Sequence, residues 1–335
     1  MPGLVDRFDE LQRRRRALSI PLGVVYKFFD DQGGYLAAIL TYYAFLAIFP
    51  ILLIASSVLG FLIQGDAQLR QTILDSALGQ FPIVGTQLGL PEGLRGSTSA
   101  VVVGALTALY GVVGLGQAAL NAVNTTWAVP RNSRLNPVMS RLRSLGLMVA
   151  AGLTLLALAV LSTVASNVDA FSERVAAWLQ VLAPLASVAI TAVVLSLMLA
   201  VATQQRHRFR TVLPGGITIA VLWHVLQLFG GIYVSGVINR VSEMNGVFAV
   251  VLGLIALIYL GSASAVIGME INVVLARDLY PRALLTPFTD AVELTDADRR
   301  VYTDYARAQR HKGFEQVEVT FRPRDEAAED RLRGT

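Results

Sequence analysis

The sequence predicts an all-α integral membrane protein, a bundle of six transmembrane helices with both termini in the cytoplasm. Three observations predict it. The chain is 54% hydrophobic and only 16% charged, where soluble domains carry about a quarter charged residues. Its apolar residues gather into six long runs holding little or no charge, each reaching the roughly 20 residues that a bilayer crossing needs. Lysine and arginine gather in every second connection between those runs and at both termini, the asymmetry that the positive-inside rule describes.

The expected spans are 36–63, 98–121, 144–166, 178–203, 212–237 and 246–274. They read as helices because their apolar residues run on without the alternation of a barrel strand. The first is longer than the bilayer is thick and contains Pro50. A proline removes one helical hydrogen bond, so Pro50 is a candidate kink that takes up the excess.

Orientation follows from the basic residues. With the N-terminus inside, Arg7, Arg13 to Arg16 and Lys27 fall on the cytoplasmic side, as do Arg131, Arg134, Arg141, Arg143, Arg206, Arg208, Arg210 and everything from Arg277 onward. That places 24 of the 28 lysines and arginines inside and leaves only Arg70, Arg95, Arg174 and Arg240 outside. Basic residues that flank membrane segments are drawn to anionic headgroups. No nucleic-acid-binding motif accompanies them, so the net charge of +4 does not imply a nucleic-acid partner.

Three regions follow: a cytoplasmic N-terminal segment 1–35, a membrane domain 36–276, and a cytoplasmic tail 277–335 that is partly helical and then disordered. The N-terminus does not read as a cleavable signal, because Lys27, Asp30 and Asp31 interrupt the stretch that would have to be apolar. Leu18, Leu22, Val25, Tyr26 and Phe29 recur at helical spacing instead. This predicts an amphipathic helix over 18–31, lying along the interface or packed on the bundle. Between the first two spans, residues 64–97 carry the apolar stripe Ile73, Leu74, Ala77, Leu78 and Phe81, expected to form a short outer helix, as a lid or a packed connector. In the tail, Thr295 followed by Asp296 and Asp298 reads as a helix start, with an end near His311-Lys312-Gly313. The chain has no cysteine, which excludes disulfides and thiolate chemistry.

Function in such a protein is sought among the polar groups that lipid would reject. Glu270 is the first candidate, near the inner end of the sixth span with Asn272 beside it. Either it serves a proton-linked or cation-coordinating site, or it is structural, pairing with a loop arginine such as Arg131 or Arg141 or capping backbone amides. His224 and Gln227, three apart on the fifth span, share a helix face and offer a proton relay or a plain interhelical hydrogen bond. Thr41, Tyr42 and Tyr43 lie at the same depth as Gln117, Asn121 and Asn124 and as Glu270 and Asn272. Polar residues at one level suggest a hydrated cavity open to the cytoplasm, although hydrogen bonds that join helices give the same pattern. Gly261 with Ala265, Ser264 with Gly268, and Gly104, Gly111 and Gly114 are read as positions of close helix approach.

Four landmarks resemble the YihY/BrkB family of bacterial inner-membrane proteins. They are Tyr42-Tyr43-Ala44-Phe45 leading to Phe49-Pro50, Asn124-Thr125-Thr126-Trp127, Leu213-Pro214-Gly215-Gly216, and Gly268-Met269-Glu270-Ile271-Asn272. The similarity runs from about residue 20 to 280 and leaves the tail outside. The chain departs from the family pattern at Leu257-Ile258-Tyr259, where Trp-x-Tyr is frequent, and at Asn245, which replaces a tyrosine. The resemblance implies residence in the cytoplasmic membrane and a role in envelope integrity or export of lipid-linked material. It also brings an old ribonuclease label, which the residues do not support. A metal-dependent nuclease needs clustered ligands, and the three histidines, His207, His224 and His311, lie in a loop, a span and the tail.

No enzyme activity and no cofactor are therefore expected. The leading expectation is a translocator or exporter of lipids or lipid-linked glycans, with membrane lipids as partners. Beside it stand a small-solute or ion transporter, proton-coupled through Glu270 or His224, and a non-transporting scaffold, including a homo-oligomer.

Overall fold

The computed structural model describes residues 4–62, 98–166, 173–204, 207–236, 243–286 and 292–322. Among them there is no strand. The helices are α1 (Leu4–Arg14), α2 (Arg16–Asp30), α3 (Gly33–Leu62), α4 (Thr98–Thr126), α5 (Pro137–Ser166), α6 (Glu173–Ala202), α7 (Phe209–Gly236), α8 (Glu243–Ala276) and α9 (Asp296–Ala308). Helices α3 to α8 contain 28 to 34 residues each, about 40 Å or more at 1.5 Å per residue.

These six helices form a closed ring. Each packs on the next, and α8 returns to pack on α3. Four of them hold stretches long and apolar enough to cross a membrane: Pro137–Leu161, Leu182–Ala202, Phe209–Ile232 and Val251–Ala276. In α3 the described apolar stretch is the shorter Gly33–Ile48, and Pro50 lies within that helix. Outward faces carry large apolar side chains, among them Val149 and Leu153 on α5, Leu185 on α6, and Leu228, Phe229 and Ile232 on α7. Apolar surface of that extent is suited to lipid.

The expected spans fall within these helices to within a residue, but α4 and α5 extend further at their shared connection. Asn136 caps α5, its Oδ1 accepting from the Met139 amide at 2.8 Å, and Pro137 occupies the first turn, where a missing N–H costs nothing. Arg141 and Arg143 thus ride on a helical turn beyond the apolar run, and sequence reasoning that stopped at the charges placed the boundary too late. The stripe expected at Ile73 to Phe81 lies outside the described residues.

Close contacts hold the ring together where small residues permit them. A Cβ on Gly215 would strike the Gly268 carbonyl and the Asn272 side chain, and one on Gly268 would strike Ile219. On α4, a Cβ at Gly114 would strike the Tyr43 ring, and one at Gly111 the backbone of Leu46 and Ala47. Two family landmarks, Pro214-Gly215-Gly216 and Gly268 to Asn272, are therefore opposite sides of one helix contact.

One end of the ring is capped by α1, α2 and α9. On α2 the buried residues are Ser19, Gly23, Val24 and Lys27, which pack on α8. Leu18, Val25 and Phe29 are exposed. The apolar stripe that predicted this helix is its outer, lipid-suited face, and the small residues at four-residue spacing are its inner face. α9 begins as expected: the Thr295 hydroxyl accepts from the Asp298 amide, and the Asp298 carboxylate accepts from the Thr295 amide. It ends at Ala308, a few residues early. The chain beyond it does not leave the body at once, because the Asn132 amide donates to the Arg310 carbonyl at 3.1 Å. The described residues 277–286 and 292–310 are part of the cap.

Candidate functional site

Glu270 is fully buried at the capped end of α8. Its partner is Lys27 of α2, with 3.6 Å between Nζ and Oε2, rather than Arg131 or Arg141. Lys27 also pairs with Asp31, one turn further along its own helix, and donates to the Thr126 carbonyl at 3.1 Å. All three charged side chains are almost wholly shielded from solvent. One cation thus serves two carboxylates and the open end of α4. Tyr305 of α9 closes the cluster, with the Lys27 ammonium 5.1 Å from its ring centre. Burial and the neighbouring carboxylates hold its phenol well above the ordinary tyrosine range.

The end of α4 is the hub of the cap. The Ala128 amide donates to Thr125 and the Val129 amide to Asn124, a left-handed helix stop with Ala128 at φ 46°, where glycine is the usual residue. Carbonyls left open beyond the last turn attract cations. Lys27 takes that of Thr126, and Arg277 takes that of Trp127 at 2.8 Å. Arg277 is held in turn by Asp304 at 2.6 Å. The buried Trp127 ring stacks on His207 with 3.7 Å between centroids. Burial, reinforced by Arg277, pushes the His207 pKa below its ordinary value. The Asn-Thr-Thr-Trp landmark is the knot into which α2, α8 and the α6–α7 connection are tied.

A second buried cluster joins α2 to the segment before α9. Arg282, wholly buried, pairs with Asp298 and reaches Asp30 at 3.0 Å. Burial opposes its charge, but Asp298 and Asp30 outweigh that effect and hold its pKa above the ordinary value. Burial pushes Asp30 upward despite the pull of Arg282. Gln12 of α1 donates to the Arg282 carbonyl at 2.6 Å.

Beside the first cluster lies a cavity of about 350 Å³, within the range of small-ligand sites. It opens between the capped ends of α3 and α4. Gln32, Asn121, Arg131 and Arg134 form a polar wall, Tyr35, Leu36 and Ile39 an apolar one, and Asp31 and Tyr305 line its floor. Tyr35, Ile39 and Tyr42 are exposed along one side of α3, so the apolar wall continues onto the outer surface of the ring. Arg134 donates to the Asn121 side chain at 3.2 Å and to the Val129 carbonyl at 3.4 Å. It forms no ion pair with a described residue. Burial, then the charge of Arg131, lowers its pKa.

The other expected residues disperse to separate neighbours. Asn272 turns to α7, its Oδ1 accepting from the Gly215 amide at 2.7 Å, just after Pro214 within that helix. His224 bonds one turn back to the Ala220 carbonyl at 2.8 Å. It lies near the level of Trp223 and Gly261, roughly 10 Å or more along the axis from Glu270. Gln227 lies three residues further along the same helix. Tyr43 packs on α4 with its hydroxyl 3.5 Å from that of Tyr110. Gln117 accepts from Ser140 of α5 at 2.9 Å. Asn124 is buried, with no hydrogen bond to its side-chain oxygen. Of the polar residues read at one depth, only Asn121 lines the cavity.

Sequence reasoning missed Lys27, Asp31, Arg134, Arg282 and Tyr305 as members of these sites. Lys27 left a trace: it stands on the same four-residue stripe as Ser19 and Gly23, the side where a small-residue pattern predicts close packing.

A ring of long helices, four of them able to cross a bilayer, with an ionic cap at one end, defines a helical membrane protein. Residues 24–289 match the family described as Virulence factor BrkB, and the chain belongs to that family. The matched region contains Lys27, Asp31, Arg134, Glu270 and Arg282, and excludes α9. No curated protein and no solved structure matches the chain.

Proposed function

We propose that the chain crosses the inner membrane six times, with its capped end in the cytoplasm, and moves anionic lipids or lipid-linked glycans in support of the cell envelope. The observation that carries this reading is Arg134. A guanidinium half removed from water, with no carboxylate paired to it among the described residues and a second arginine beside it, favours an anionic ligand. The cavity it lines continues along Tyr35, Ile39 and Tyr42 onto the face that lipid would cover. A phosphate-bearing headgroup fits the polar wall, while its acyl chains stay on the apolar one. The basic residues at the cap support a cytoplasmic orientation.

The test is lipid movement in proteoliposomes, followed by dithionite quenching of a fluorescent anionic lipid. Wild-type protein should speed exchange between leaflets, and Arg134→Gln should slow it about tenfold, as expected for loss of one charge-assisted contact. No acceleration by well-folded wild type would sink the reading and favour a scaffold. Proton-coupled solute transport draws support from Glu270, buried with neither oxygen hydrogen-bonded. It predicts solute-dependent proton flux that Glu270→Gln abolishes. Its Lys27 pairing and its place in the cap favour the structural role.

A further inference from the structure

A second cavity, of about 570 Å³, lies on the opposite side of α9 from the first. Arg277, Arg299, Arg300 and Arg307 line it, with Asp304 as the sole carboxylate among the described residues. Arg277 is held in place by Asp304 and the Trp127 carbonyl. Arg300 is held by the carbonyls of Arg277 and Asp278, at 3.3 and 3.2 Å. Arg299 and Arg307 are exposed and form no ion pair with a described residue. Three guanidinium-bearing residues without a partner carboxylate among the described residues line one concavity, and two of the four are fixed before any ligand arrives.

Arginine clusters of this kind match phosphate oxygens, because the planar fork donates two hydrogen bonds at once and stays charged. Thr303 adds a hydroxyl to the same lining. The neighbouring side chains repel one another until an anion enters, so their local potential favours one. We infer that this cavity is a binding site for a phosphate group, carried either by a soluble phosphate compound or by a lipid headgroup at the cap. The site is separate from the groove at Arg134 and stands whether or not lipid moves through that groove. The same helix supplies Tyr305, Ala308 and Gln309 to the first cavity, so a ligand held by Arg299 and Arg307 steadies one wall of the transport groove.

The test uses full-length protein with pyrophosphate in a neutral detergent. In parallel it uses nanodiscs of phosphatidylcholine with and without phosphatidylglycerol, and thermal unfolding is read in both. A ligand that binds the folded state raises the midpoint. Pyrophosphate should raise the midpoint of wild type, and the double variant Arg299→Gln/Arg307→Gln should bind it at least tenfold more weakly. Asp304→Asn, which removes the only opposing carboxylate among the described residues, should bind it more tightly. Protection by phosphatidylglycerol alone, lost in the double variant, assigns the site to lipid headgroups. Protection by pyrophosphate in detergent, lost in the double variant, assigns it to a soluble phosphate. Equal protection of wild type and the double variant in both arms would overturn the inference, as would a loss confined to Arg134→Gln, which places the anion in the other groove.

Discussion

Replacing Lys27 with methionine removes one positive charge from a place where two carboxylates depend on it. Asp31 and Glu270 are shielded almost completely, and no other cation pairs with either among the described residues. Breaking a buried ion pair by deleting one partner costs about 3–5 kcal/mol, because the remaining charge is stranded. Lys27 also gives up its bond to the Thr126 carbonyl, an additional cost of about 1 kcal/mol. Lys27→Met should therefore lose most of the folding stability of the cap, roughly 4–6 kcal/mol in all. Glu270→Gln should behave differently. It leaves Lys27 paired with Asp31, the tighter of its two contacts, and removes one of two competing negative charges, so stability should change by less than about 1 kcal/mol. In the combined variant only Asp31 is stranded, and the loss should fall short of Lys27→Met alone, a coupling of about 1–3 kcal/mol. The assay is reversible unfolding in mixed detergent, followed by tryptophan fluorescence, since Trp127 sits in the same knot. Glu270→Gln costing as much as Lys27→Met would refute the reasoning and make Glu270 the principal partner of the lysine.

Other perturbations test the cap and the ring. Gly215→Ala places a methyl against the Gly268 carbonyl and Asn272, and should destabilise by about 1–3 kcal/mol in the same unfolding assay, whereas Gly146→Ala, with open space around it, should be neutral or better. Ala128→Gly relieves a left-handed backbone at φ 46° and should stabilise by about 1 kcal/mol. Arg282→Met strands Asp30 and Asp298, so α9 should detach; hydrogen exchange over 292–310 should rise while exchange in α6 and α7 stays unchanged. His207 has a folded-state pKa below its ordinary 6.5, so the folded cap favours the neutral ring. The stability this contributes is complete above pH 6.5 and is lost as pH falls through the lowered value. Histidine titration by NMR should place the His207 midpoint below 6.5.

The helices were legible because lipid imposes a simple code: a long apolar run has few alternatives to a helix. The packing contacts were legible for a related reason, since glycine at Gly111, Gly114 and Gly268 is costly in a helix unless something approaches closely. The site was less legible. Depth along a helix can be counted, but the direction a side chain faces cannot, so Tyr43, Gln117, Asn272 and Glu270 shared a level while meeting four different neighbours. Lys27 and Asp31 were visible as charges in an apolar stretch, yet pairing them with Glu270 requires knowing that α2 folds back onto α8. Arg282 carried no signal and Asp298 showed only as part of a helix start, because charged residues after the last span read as solvated until α9 is seen to cover them.

The most direct test of the account is photo-crosslinking with a lipid that carries a diazirine on its acyl chain and a phosphate in its headgroup, in nanodiscs, with adducts mapped by mass spectrometry. A groove that takes lipid between α3 and α4 should concentrate adducts on Tyr35 to Tyr42 and on the stretch from Asn121 to Arg134, and Arg134→Gln should deplete them there. Adducts spread evenly over the outward faces of α5, α6 and α7, with no change in the variant, would contradict it.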